Sequence, residues 1–143
     1  MHAFVRRCVV LVADDEPIVL QLVSDVLVRH GYIVISATDG PNALRACLQR
    51  EGPIHLAVLD VMMPGVTGLE LAVCLQEHHP KIDVLFMSGY RTDQIADIAP
   101  GIQKAYFIAK PFLPRDLVKR VNSILGNTEV CILLDDDVHA TSA

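Results

Sequence analysis

Five short runs of apolar, largely β-branched residues recur along this chain, each closed by a polar or Gly/Pro-rich stretch, and they narrow the folds open to it. The runs are Cys8–Ala13 (CVVLVA), Tyr32–Ser36 (YIVIS), His55–Leu59 (HLAVL), Ile82–Met87 (IDVLFM) and Lys104–Ala109 (KAYFIA). None shows the strict alternation of a strand with one wet face. Each is therefore expected to be covered on both sides, as strands of a parallel sheet are.

Parallel strands need crossovers, and the intervening segments have helical periodicity. Pro17–Arg29 places Ile18, Val19, Leu22, Val23, Val26 and Leu27 at steps of three and four, with Gln21, Ser24, Asp25 and Arg29 on the wet side and Gly31 as the stop. Pro41–Arg50 opens on a proline at the first helical position and ends before Gly52-Pro53. Thr67 is an expected N-cap for a helix through His78, with Glu70 completing a capping box and Pro80 closing the segment. Thr92–Ala99 is the shortest expected helix. Pro114–Leu125 carries Leu117, Val118, Val121, Ile124 and Leu125 on one stripe, and Gly126 ends it. Strands alternating with helices predict an α/β fold, a doubly wound five-strand parallel sheet with right-handed crossovers. Alternation alone leaves the strand order open.

Length and charge exclude several classes of function. A chain of 143 residues is one domain's worth, and no separate output domain is expected within it. Twelve Lys+Arg against seventeen Asp+Glu give a net charge of -5, with no basic stretch longer than Arg6-Arg7, which argues against a nucleic-acid partner. The apolar runs fall well short of the ~20 residues of a membrane span. No small-residue cleavage site separates the apolar stretch after Arg6-Arg7 from Asp14-Asp15, so a secretion signal is not expected and the chain reads as soluble and cytoplasmic. Cys8, Cys47, Cys74 and Cys131 form no close pair and read as reduced apolar fillers, while His78-His79 are neighbours that point to different sides of a helix.

In doubly wound sheets ligands bind beyond the carboxyl ends of the strands. Here those ends carry Asp14-Asp15-Glu16, Asp60, Ser88-Gly89 and Lys110-Pro111. Asp14, Asp15 and Asp60 converging at one edge would repel one another by roughly 1 to 4 kcal/mol per pair, so the site calls for a cation. A hard divalent ion with oxygen ligands fits, Mg²⁺ foremost, with Lys110 supplying the remaining positive charge. Asp60, alone before the loop Val61-Met62-Met63-Pro64-Gly65, is then free to act as a nucleophile on phosphorus, and Ser88 and Lys110 are placed to bond the phosphoryl oxygens. Each piece has an ordinary alternative: an acidic doublet often caps a helix, and Ser-Gly or Lys-Pro pairs are common loop chemistry. Their joint occurrence at the ends of strands one, three, four and five carries the functional reading.

The motifs VLVADDEP, LDVMMPGVTGLEL, FMSGY and FIAKPF resemble those of the receiver domain of two-component response regulators, over about Cys8 to Leu125. The resemblance implies a CheY-like, flavodoxin-like fold of strand order 2-1-3-4-5. It implies that Asp60 accepts a phosphoryl group from the phosphohistidine of a sensor histidine kinase or a phosphotransfer protein. It further implies that Asp15, Asp60 and the backbone carbonyl of Met62 ligate Mg²⁺, that Asp14 assists through water, and that Ser88 and Lys110 bind the phosphoryl group. The chain would then be no enzyme on external substrates, but a phosphoacceptor that catalyses its own phosphorylation and dephosphorylation. A cis Lys110-Pro111 bond and an aromatic switch at Phe107 also follow from the resemblance, although Phe107 lacks the hydroxyl of the commoner tyrosine and Ser88 stands for threonine. Tyr90 is expected to shade the phosphate from water.

On this reading residues 1–126 form a stand-alone receiver whose surface near Phe107 and Thr92–Ala99 meets an effector, and residues 127–143 form a tail. The tail holds Val130-Cys131-Ile132-Leu133-Leu134 and Asp135-Asp136-Asp137; it is either frayed or docked on the domain or on a second copy, which would make a homodimer. The alternatives are a phosphate shuttle in a phosphorelay, a pseudo-receiver that only binds, and an aspartyl phosphohydrolase. The last wants a second acid two residues after the nucleophile, where this chain has Met62. Flavin binding lacks the Ser/Thr-rich phosphate loop after the first strand.

Overall fold

All five expected strands form and pair in parallel in a computed structural model of the chain, which describes residues 7–89 and 105–126. Along the chain run β1 (Val9–Ala13), α1 (Pro17–Arg29), β2 (Ile33–Ala37), α2 (Gly40–Gln49), β3 (Leu56–Asp60), α3 (Gly68–His78), β4 (Asp83–Ser88), β5 (Ala105–Ala109) and α4 (Pro114–Leu125). The sheet order is β2-β1-β3-β4-β5, the order that the resemblance implies and that alternation left open. The expected helix Thr92–Ala99, Tyr90 and the tail lie outside the described residues.

Alternate residues of each strand feed two separate cores. Val9, Leu11, Ala57, Leu59, Val84 and Phe86 pack with Ala43 and Cys47 of α2 and with Leu71, Ala72 and Leu75 of α3. Val10, Val12, Leu56, Val58, Leu85 and Met87 pack with Leu20, Val23 and Leu27 of α1 and with Leu117, Val121 and Ile124 of α4. Both faces of the sheet are thus dry, which is why the central strands read as unbroken apolar runs.

Local chemistry sets the helix starts. Thr67 accepts from the Glu70 amide at 3.1 Å and Glu70 reaches back to the Thr67 amide at 3.3 Å, the expected capping box of α3. The Asp39 carboxylate accepts from the Asn42 amide at 2.8 Å and starts α2 at Gly40, one residue before the expected proline. Cys47 and Cys74 are free thiols, as expected, but Cys8 is disulfide-bonded, which corrects the reading of all the cysteines as reduced.

Candidate functional site

The carboxyl ends of β1, β3, β4 and β5 bring the singled-out residues to one niche. Asp14 follows β1 directly and is wholly buried. One of its oxygens accepts from the Glu16 amide at 2.8 Å, and the other accepts from the Lys110 ammonium at 2.8 Å. The alternative role for the acidic doublet, capping α1, is not realised: the N-cap of α1 is Glu16, and no side chain caps there. Asp15 is exposed to solvent.

Asp60 ends β3, opposite Met87, and is only 7% exposed. Its Oδ1 accepts from the Met62 amide at 3.3 Å and lies 3.6 Å from Lys110 Nζ. Carboxylate oxygens of Asp14, Asp15 and Asp60 lie within 4.8 Å of one another, the one such acidic or histidine cluster among the described residues. Ser88, buried at the end of β4, faces Ala109 in the ladder, and its carbonyl accepts from the Lys110 amide at 2.8 Å. The serine and lysine ends of β4 and β5 are thereby tied together. The Lys110-Pro111 bond is cis.

Gly68 lets α3 begin directly beneath this niche. Its amide donates to the Val61 carbonyl at 3.0 Å, and a Cβ there would fall 2.1 Å from the Asp60 carbonyl oxygen. Any larger residue would push the helix away from the end of β3.

The electrostatics follow from crowding. Burial foremost, then the neighbouring Asp14 charge and the Asp15 contact, outweigh the lowering pull of Lys110 and the Met62 amide and bring the Asp60 carboxyl to about 6. Burial works against the charge on Lys110, but the hydrogen bond and charge of Asp14, with the charges of Asp60 and Glu16, outweigh it and raise the ammonium above its usual range. Three carboxylates against one ammonium leave an excess of negative charge on hard oxygen donors, with Asp15 open to solvent. That donor set fits Mg²⁺, which keeps several waters beside one or two carboxylates. One participant carried no assigned role in the sequence: Glu16 lies 3.7 Å from Lys110, and its only signal was its place after the acidic doublet.

A family profile for the response regulator receiver domain matches residues 10–122. The chain belongs to that family. It is 34% identical over 116 residues to the response regulator GtcR of Aneurinibacillus migulanus, covering 81% of this chain and 47% of that protein. It is 32% identical to the probable transcriptional regulatory protein TcrX of Mycobacterium tuberculosis, covering 91% of this chain and 60% of that one. The chain thus spans about half the length of the curated relatives it matches. Among solved structures, the chemotaxis protein CheY4 of Vibrio cholerae superposes with a TM-score of 0.76 at 26% identity, over 83% of this chain and 99% of that one. The receiver domain of the hybrid histidine kinase CckA gives 0.70 at 31% identity, over 82% of this chain and 98% of that one. Receivers of two-component systems are phosphoacceptor switches that take their phosphoryl group on an aspartate and bind Mg²⁺ in an acidic pocket. In this receiver the switch position expected at Phe107 is half-buried, its ring stacked on Phe86 with centroids 5.5 Å apart.

Proposed function

We propose that this receiver accepts a phosphoryl group on Asp60 from the phosphohistidine of a sensor histidine kinase or a phosphotransfer protein. In the transfer an Asp60 oxygen forms a bond to phosphorus, the phosphorus–nitrogen bond breaks, and the leaving imidazole takes up a proton. The observation that carries the reading is Asp60 buried at the end of β3, 3.6 Å from Lys110 and within one cluster with Asp14 and Asp15.

Asp15, Asp60 and the Met62 carbonyl are the groups proposed to hold Mg²⁺, with Asp14 acting through water. When bound, the ion offsets the charge of the phosphoryl oxygens and of the attacking carboxylate. Lys110 supplies a fixed positive charge to one phosphoryl oxygen, and the Ser88 hydroxyl donates to another. Asp14 positions Lys110: their 2.8 Å pair aims the ammonium into the niche. The backbone bond from Lys110 to Ser88 makes movement at one register at the other.

Output is proposed as a change in partner binding by the receiver itself, residues 1–126, with 127–143 as a tail. A cytoplasmic setting accords with the family, and no helix among the described residues is long and apolar enough to cross a membrane. Incubation with Mg²⁺ and acetyl phosphate is expected to add one phosphoryl group by intact mass, with none added in Asp60→Asn. Incorporation that survives this substitution would place the acceptor elsewhere.

A further inference from the structure

α1 and α4 pack on one apolar cluster, which takes Val23 and Leu27 from the first and Leu117 and Val121 from the second. On their solvent side an open groove of about 560 Å³ runs between them. Half-buried Val26 and Val118 give it apolar surface. Four basic side chains line it, Arg29 and His30 at the end of α1 and Arg115 and Lys119 on α4, and among the described residues no carboxylate does. The side chains of Arg29, Arg115 and Lys119 have no ion-pair partner among the described residues. His30 Nδ1 donates to the Val26 carbonyl at 2.8 Å, which holds the ring at the groove. In a chain of net charge -5, this is a local excess of unpaired positive charge on both sides of an apolar strip.

We propose that this groove docks an acidic amphipathic helix of a partner protein, its apolar stripe on Val26 and Val118 and its Asp and Glu side chains against the basic residues of both walls. Charge complementarity selects the occupant, because opposite charges steer the encounter and arginine can bond a carboxylate through two N–H groups at once. The apolar strip between the charges suits a helix with one greasy face, whereas a polyphosphate or nucleic-acid backbone has nothing to bury there. The size agrees: on α4 the lining extends from Pro114 to Asn122, roughly 12 Å along the axis, or about two turns of a helix laid beside it. Arg29 and His30 stand at the far end of α1, roughly 18 Å along its axis from Pro17 and the acidic niche. The inference therefore does not rest on Asp60, and it gives the receiver a second surface for holding a partner.

The test uses the full chain and a labelled synthetic peptide with Leu at helical spacing and Glu on both flanks, read by fluorescence anisotropy and amide chemical shifts. Saturable binding is expected, with shifts confined to Val26–His30 and Pro114–Asn122, and with the same affinity in Asp60→Asn. The double substitution Arg115→Glu and Lys119→Glu is expected to weaken binding at least tenfold. That variant should instead bind the peptide carrying Lys for Glu, a gain that only a folded groove can give. No saturable binding, equal binding of a scrambled peptide of the same composition, equal affinity of the charge-reversed chain, or shifts outside the two helices overturns the proposal. Sedimentation of the chain with phosphatidylglycerol vesicles, or a peptide-free dimer that Arg115→Glu abolishes, assigns the groove to a membrane or to a second copy and overturns it as well.

Discussion

The proposed role requires Asp60 to be ionised, both to meet a cation and to attack phosphorus, yet its surroundings oppose ionisation. Its folded pKa of about 6 stands above the ordinary 3.8, so the folded protein without metal holds this proton more tightly than the unfolded chain does. The stability that follows is present below about pH 4 and is lost as pH rises through 6. Asp60→Asn is therefore expected to stabilise the metal-free protein by about 1 to 3 kcal/mol at pH 8 and by almost nothing at pH 4, as urea unfolding at the two pH values will show. The same titration governs the metal: Mg²⁺ affinity should fall about tenfold between pH 7 and pH 5, the ratio of ionised Asp60 at a pKa near 6, measurable by calorimetry. Lys110 answers to a different partner. Lys110→Met leaves the buried Asp14 without its ammonium and should destabilise the protein by about 2 to 4 kcal/mol at pH 8. Asp14→Asn in the same chain should recover most of that loss in a double-mutant cycle, because no buried charge is then stranded.

At the scale of elements, four of the expected strands begin one residue too early, and three of them end one residue too early; Lys104, the expected start of the fifth, lies outside the described residues. The reason lies in the chemistry of the last rungs. Apolar patterning stops where Asp60 and Ser88 begin, but backbone pairing continues through them, Asp60 against Met87 and Ser88 against Ala109. The site residues are thus the final members of the ladder rather than loop residues, which fixes their position. Periodicity found the helices and the capping box at Thr67 because those signals are local. It could not supply the contact of Glu16 with Lys110 or the approach of α3 to the end of β3, since both depend on how separate elements meet. Gly68→Ala tests the second of these. A Cβ 2.1 Å from the Asp60 carbonyl must displace α3 or the end of β3, for an expected loss of about 1 to 3 kcal/mol in urea unfolding. Mg²⁺ affinity should weaken with it, whereas Thr67→Ala, which removes only the cap, should cost about 1 kcal/mol and leave metal binding unchanged.

For the whole molecule, metal binding and folding are linked. Free Mg²⁺ at about 100 times its Kd should raise the unfolding free energy by roughly 3 kcal/mol, a gain that a chelator removes and that Asp60→Asn largely lacks. The fold class was legible because a sheet covered on both faces leaves continuous apolar runs, and the niche was legible because its residues follow those runs one strand after another. The strand order came from resemblance, since alternation permits several arrangements of five parallel strands. That order has a mechanical consequence. Asp14 and Asp60 are carried by β1 and β3, each held by neighbours on both sides, whereas Lys110 emerges from β5, which has a partner on one side only. The niche is held on both sides where it is negative and on one side where it is positive, so the phosphoryl group proposed on Asp60 would draw the margin of the sheet inward rather than the acids outward, and the deformation would leave the molecule along its outermost strand.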